Sequence, residues 1–68
     1  MTLQEIKDRV KAIADISSNS EYAHIDEDEL YEAVLFFIAH GGMQREWMID
    51  AAKVALTTKD IKFERWYA

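Results

Sequence analysis

The chain opens on a helical rhythm. Leu3, Ile6, Val10 and Ile13 recur at spacings of three and four, while Lys7, Asp8, Lys11 and Asp15 fall mainly on the other side. That pattern predicts an amphipathic helix over residues 3–16. Thr2 and Glu5 supply a T-x-x-E capping box at its start. The polar run Ser17-Ser18-Asn19-Ser20 should end it, because these side chains compete for backbone hydrogen bonds. A second helix is expected from about Glu27 to His40. Asp26 would be its N-cap, Ile25 and Leu30 its hydrophobic staple, and Gly41 its left-handed stop. Its stretch Ala33-Val34-Leu35-Phe36-Phe37-Ile38-Ala39 is apolar nearly all round. Such a helix is central in its fold or buried at an interface. A third helix should begin near Met43 or Gln44 and reach Leu56 or Thr57, with Trp47, Met48, Ala51, Val54, Ala55 and Leu56 on its apolar side.

From Lys59 the rhythm changes. Ile61 and Phe63 alternate with charged residues, as in an extended segment that packs across the helices or pairs with another copy. The expected fold class is therefore all-α: a small three-helix domain with an ordered, extended C-terminal tail, one domain over residues 1–68. The expectation places helix 2 at the centre.

Size and composition narrow what such a domain can be. At 68 residues with two Gly, no Pro and no Cys, there is little core, so a homo-oligomer is expected. Without cysteine there is no disulfide, thiolate nucleophile or thiolate metal site, which fits a reducing cytoplasm. No apolar run is long enough to span a bilayer, and Met1-Thr2-Leu3-Gln4-Glu5 does not open a signal peptide. The net charge of -5 is unevenly placed. Residues 1–40 carry nine acids against three bases, and residues 41–68 four acids against five bases. Duplex DNA binding needs clustered Lys and Arg and is disfavoured. The acidic half suits a basic partner protein.

Catalytic chemistry has few candidates. Ser17, Ser18, Ser20, Thr57 and Thr58 all sit in turn-like contexts, and neither His24 nor His40 has a partner spacing that suggests a triad. The expectation is a protein that is not an enzyme and needs no cofactor. Two groups are sharper. If the second helix extends back to His24, then His24, Glu27 and Asp28 share one side of a turn, where an imidazole and two carboxylates can read polar edges or ligate a divalent metal. The plainer reading is that the carboxylates orient His24 and serve the helix N-terminus, and no metal is expected. The second group is Arg65-Trp66-Tyr67 with Phe63, Lys59 and Lys62. Arg can pair bidentately with phosphate or carboxylate, and an aromatic face can stack on a base. The plainer reading makes Phe63 and Trp66 a clamp that fills the core.

Ala23-His24-Ile25-Asp26-Glu27-Asp28-Glu29-Leu30 followed by Ile38-Ala39-His40-Gly41 resembles the A-H-x-x-E-D-x-L…I-A-x-G pattern of a family of small phage and prophage proteins of unassigned function. That family also closes on an I-x-F-x-R-W-[CY]-A tail, here Ile61-Lys62-Phe63-Glu64-Arg65-Trp66-Tyr67-Ala68. The resemblance spans residues 20–68 and implies a phage-derived protein working in the cytoplasm of a bacterial host, where counter-defence is a common task. His24, Glu27, Asp28, Arg65, Trp66 and Tyr67 match its motif positions and are the candidate ligand-binding residues. The first functional expectation is an oligomer that sequesters a small anionic ligand, such as a nucleotide-derived immune signal. The second is an inhibitor whose acidic half docks on a basic surface of a host enzyme, and the third is a structural oligomer without ligand.

Overall fold

A computed structural model describes residues 1–41 and 44–65. Three helices, α1 (Leu3–Asp15), α2 (Ser20–His40) and α3 (Arg45–Leu56), are followed by a single 3-10 turn, Thr57–Asp60, and an extended segment. No strand occurs among the described residues. The fold is a small all-α bundle.

Helix α1 follows its pattern. Glu5 N–H donates to Thr2 Oγ1 at 3.1 Å and Thr2 N–H to Glu5 Oε1 at 3.1 Å, so the capping box closes in both directions. Ile6 and Ile13 are buried, and the polar positions between them face out.

Helix α2 departs from expectation at both ends. It starts at Ser20, seven residues before the predicted Glu27, capped by Asn19, whose side chain accepts from Tyr22 N–H at 3.2 Å. Asp26 and Ile25 therefore lie inside the helix and form no cap or staple. The physical reason is burial: starting at Ser20 puts Ala23, Glu27, Leu30 and Val34 on one stripe at spacings of four, three and four, and all four are buried. At the other end Gly41 has φ -91° and ψ -10°, in the right-handed region, and its N–H bonds to Phe37 O at 2.9 Å. Gly41 is therefore not the expected left-handed stop.

Helix α2 contributes four buried side chains, Ala23, Glu27, Leu30 and Val34, against two each from α1 and α3. Each helix packs on the other two, and the most extensive contact is α1 with α3. Ala51 and Ala55 on α3 allow this close approach, their small side chains fully or nearly buried against Ile6, Ile13, Leu30 and Val34. Burying a side chain the size of Ile6 or Leu30 contributes roughly 1.5–3 kcal/mol. Much of the apolar run in α2 misses this core: Leu35 is 64% and Phe36 58% exposed.

Beyond α3, the chain first tightens into the 3-10 turn and only then extends, with Ile61 at φ -79° and ψ 130°. Ile61 and Phe63 are partly buried against the core. The segment lies across the helices and makes no strand pairing among the described residues.

Candidate functional site

Two of the candidate residues, Glu27 and Arg65, meet on the side of α2 that faces the extended segment. Glu27 is 1% exposed, a carboxylate on a helical stripe otherwise made of Ala23, Leu30 and Val34. A charge in that position demands a partner. Arg65 provides it: Nε donates to Glu27 Oε1 at 3.0 Å, and Nη2 donates to Oε2 at 3.1 Å. The guanidinium also donates to three carbonyls of its own segment, Thr58 O at 2.7 Å, Ile61 O at 3.2 Å and Phe63 O at 3.3 Å. Its centre stands 3.8 Å over the Phe63 ring. Arg65 thus folds its own segment into a loop and pins that loop to α2.

A second layer of polar contacts supports the pair. Thr58 is fully buried and shares a hydrogen bond with the Tyr31 hydroxyl. Its hydroxyl also bonds the Glu27 carboxylate. An ionised carboxylate only accepts, so Thr58 donates to Glu27 and accepts from Tyr31. Lys59 Nζ lies 3.7 Å from Glu27 Oε1 and 5.4 Å from the centre of the Tyr31 ring. Farther along, Glu64 N–H donates to Ser20 Oγ at 3.2 Å. Ser20, Glu27 and Tyr31 stand at i, i+7 and i+11, one face of α2.

Electrostatics follow the geometry. Burial pushes the Glu27 carboxyl upward, but hydrogen bonds from Arg65 and Thr58, with the positive charges of Arg65 and Lys59, outweigh it and hold the group below the usual carboxylate range. The same pairing raises Arg65 further, mainly through its hydrogen bond to Glu27 and against the opposing effect of burial.

His24, Glu27 and Asp28 are brought onto one side of α2, but they do not converge. His24 Nε2 is 3.2 Å from Asp28 Oδ2, and His24 Nδ1 is buried with no hydrogen-bond partner among the described residues. Glu27 turns to Arg65. Among the described residues no group of three His, Asp or Glu side chains could hold a metal ion. Trp66 and Tyr67 lie outside the described residues. Of the hydroxyls considered as nucleophiles, Thr58 is occupied by Tyr31 and Glu27, Ser20 accepts from Glu64, and Thr57 Oγ1 donates to Val54 O.

Tyr31 and Thr58 are site residues that sequence reasoning missed in this role. The available signal was Asn19: taken as an N-cap, it puts Glu27 on the buried stripe, and a buried acid in a chain whose second half carries the cations points to the segment after α3. Comparisons with protein-family models, with curated proteins and with solved structures find no match for this chain. No helix among the described residues is long and apolar enough to cross a membrane.

Proposed function

We propose that this is a non-enzymatic binding protein that docks the acidic outer face of α2 on a basic surface of a partner protein. The observation that carries this reading is the composition of that helix: over 21 residues α2 contains no Lys or Arg, while Glu21, Asp28, Glu29 and Glu32 are exposed on it. Exposed Ile25 and Tyr22 stand among these acids and offer apolar contact at the centre of a charged rim. Such a face steers association with a cationic surface electrostatically. Action by occlusion needs no nucleophile and no cofactor. A counter-defence role in a bacterial cytoplasm rests on the resemblance of residues 20–68 to phage and prophage proteins.

Sequestration of a small anionic, nucleotide-like ligand is the second reading, favoured by the exposed cations Lys59 and Lys62 beside the extended segment. It asks more of the site. Arg65 already spends its fork on Glu27, so a phosphate would have to displace a buried carboxylate.

The two readings part in one experiment. Immobilised protein is exposed to bacterial extract at about 0.1 M and about 1 M salt, alongside an E21K/E29K variant whose helix content is checked by circular dichroism. Docking predicts partners retained at low salt and lost both at high salt and with the variant. Retention indifferent to charge reversal overturns it. Heat released on titration with cyclic dinucleotides or ADP-ribose, equal for both proteins, favours sequestration instead.

A further inference from the structure

On the side of α2 that faces α3, the molecule leaves a groove of about 260 Å³. Its lining includes Tyr31, Leu35 and Ile38 from α2 and Ala52, Ala55 and Leu56 from α3. Leu35 is 64% and Leu56 58% exposed. Ile49, 40% exposed, extends the apolar stripe of α3 at the spacing 49, 52, 56. No Asp, Glu, Lys or Arg lines this groove, in a chain where those residues make up 31%. We propose that the groove is the self-association surface of the protein, covered by the same groove of a second copy in a two-fold dimer.

Charge chooses the occupant. Two molecules of net charge -5 repel unless they meet on a face that buries no charge and sets opposite signs at its edge. The groove meets both conditions. Glu32 lies one helical turn before Leu35 on α2, and Lys53 lies one turn before Leu56 on α3; both are exposed and neither has an ion-pair partner among the described residues. With α2 of one copy laid over α3 of the other, each Glu32 approaches the partner's Lys53, and the symmetry makes that contact twice. The alternative, α2 over α2, sets acid against acid. Small size argues the same way, because a stable interface takes about 800 Å² from each partner, a modest share of the 4735 Å² that one copy exposes. The result is a four-helix apolar layer, with Glu21, Asp28 and Glu29 of the acidic outer face left free on both copies while Glu32 is drawn to the dimer edge. This inference is independent of the docking proposal.

Analytical ultracentrifugation of the full chain across the micromolar range tests it. The wild-type protein is expected at twice its 7.9 kDa chain mass. L35E/L56E should sediment at the single-chain mass while keeping its helical circular dichroism, since both positions are exposed within one copy; L35N/L56N gives a milder version if that variant loses helix. E32K should raise the dissociation constant about tenfold, E32K/K53E should restore it, and E21K/E29K should leave it unchanged. A wild-type protein at single-chain mass throughout the range overturns the proposal. So does a dimer that survives L35E/L56E, or a charge swap that recovers nothing.

Discussion

The two ends of one face of α2 handle exposed chemistry in opposite ways. At one, Ser20, Glu27 and Tyr31 are covered by the segment after α3, and each is tied down by a directional hydrogen bond. At the other, past Tyr31 where the two regions join, Leu35 and Ile38 meet Ala52 and Leu56 across an open apolar groove with no polar contact to set a register. The difference teaches where stability and association reside. The polar end is internally satisfied, so damage there costs the fold. The apolar end contributes little within one copy, so changes there should be felt only when copies meet.

Arg65→Ala should produce the largest effect. It leaves Glu27 buried without its cation, and truncating one member of a buried pair costs about 3–5 kcal/mol; chemical denaturation should show a loss near the lower end, because Lys59 stays close to the carboxylate. A loss below about 1 kcal/mol would break the comparison. Glu27→Gln should cost less, because the amide keeps one acceptor for Arg65, although its NH2 group replaces the second, and no buried carboxylate is left without its cation.

The pH dependence sharpens the same point. Glu27 is held below its ordinary value of 4.5 in the folded chain. Its contribution is therefore fully present above that value and is lost as pH falls through the lower folded-state value. Wild-type stability should fall more steeply than that of Glu27→Gln on acidification below about pH 4.5; parallel curves would mean that the pair adds nothing. Tyr31→Phe comes next, at about 1 kcal/mol, since Thr58 loses its donor but keeps its bond to Glu27. The smallest effect belongs to the apolar end. Leu35→Ala should change monomer stability by no more than about 0.5 kcal/mol, measured at concentrations where copies do not meet.

Much of this was legible before any coordinates. Three helices, the capping box at Thr2 and Glu5, and the limits of α3 follow from spacing alone. The start of α2 did not, because Asp26 with Ile25 and Leu30 imitates a helix start inside a helix. Only the demand that Ala23, Glu27, Leu30 and Val34 be buried together decides for Asn19. That misplaced boundary also hid the role of Glu27. In the first turn of a helix an acid needs no partner beyond the backbone, whereas seven residues further in, on a buried stripe, it needs a cation. Arg65 was singled out for its chemistry, yet its partner could not be known without the fold of the segment that carries it.

Gly41 carries a last consequence. Its backbone occupies a conformation open to every L-amino acid, so the flexibility a glycine brings is spent on the disordered ensemble without gain for the folded one. Gly41→Ala should raise the thermal midpoint, contributing about 0.4–1 kcal/mol by narrowing the choices of the unfolded chain. A helix whose capping residue needs no left-handed backbone is also one whose boundary an engineer can move.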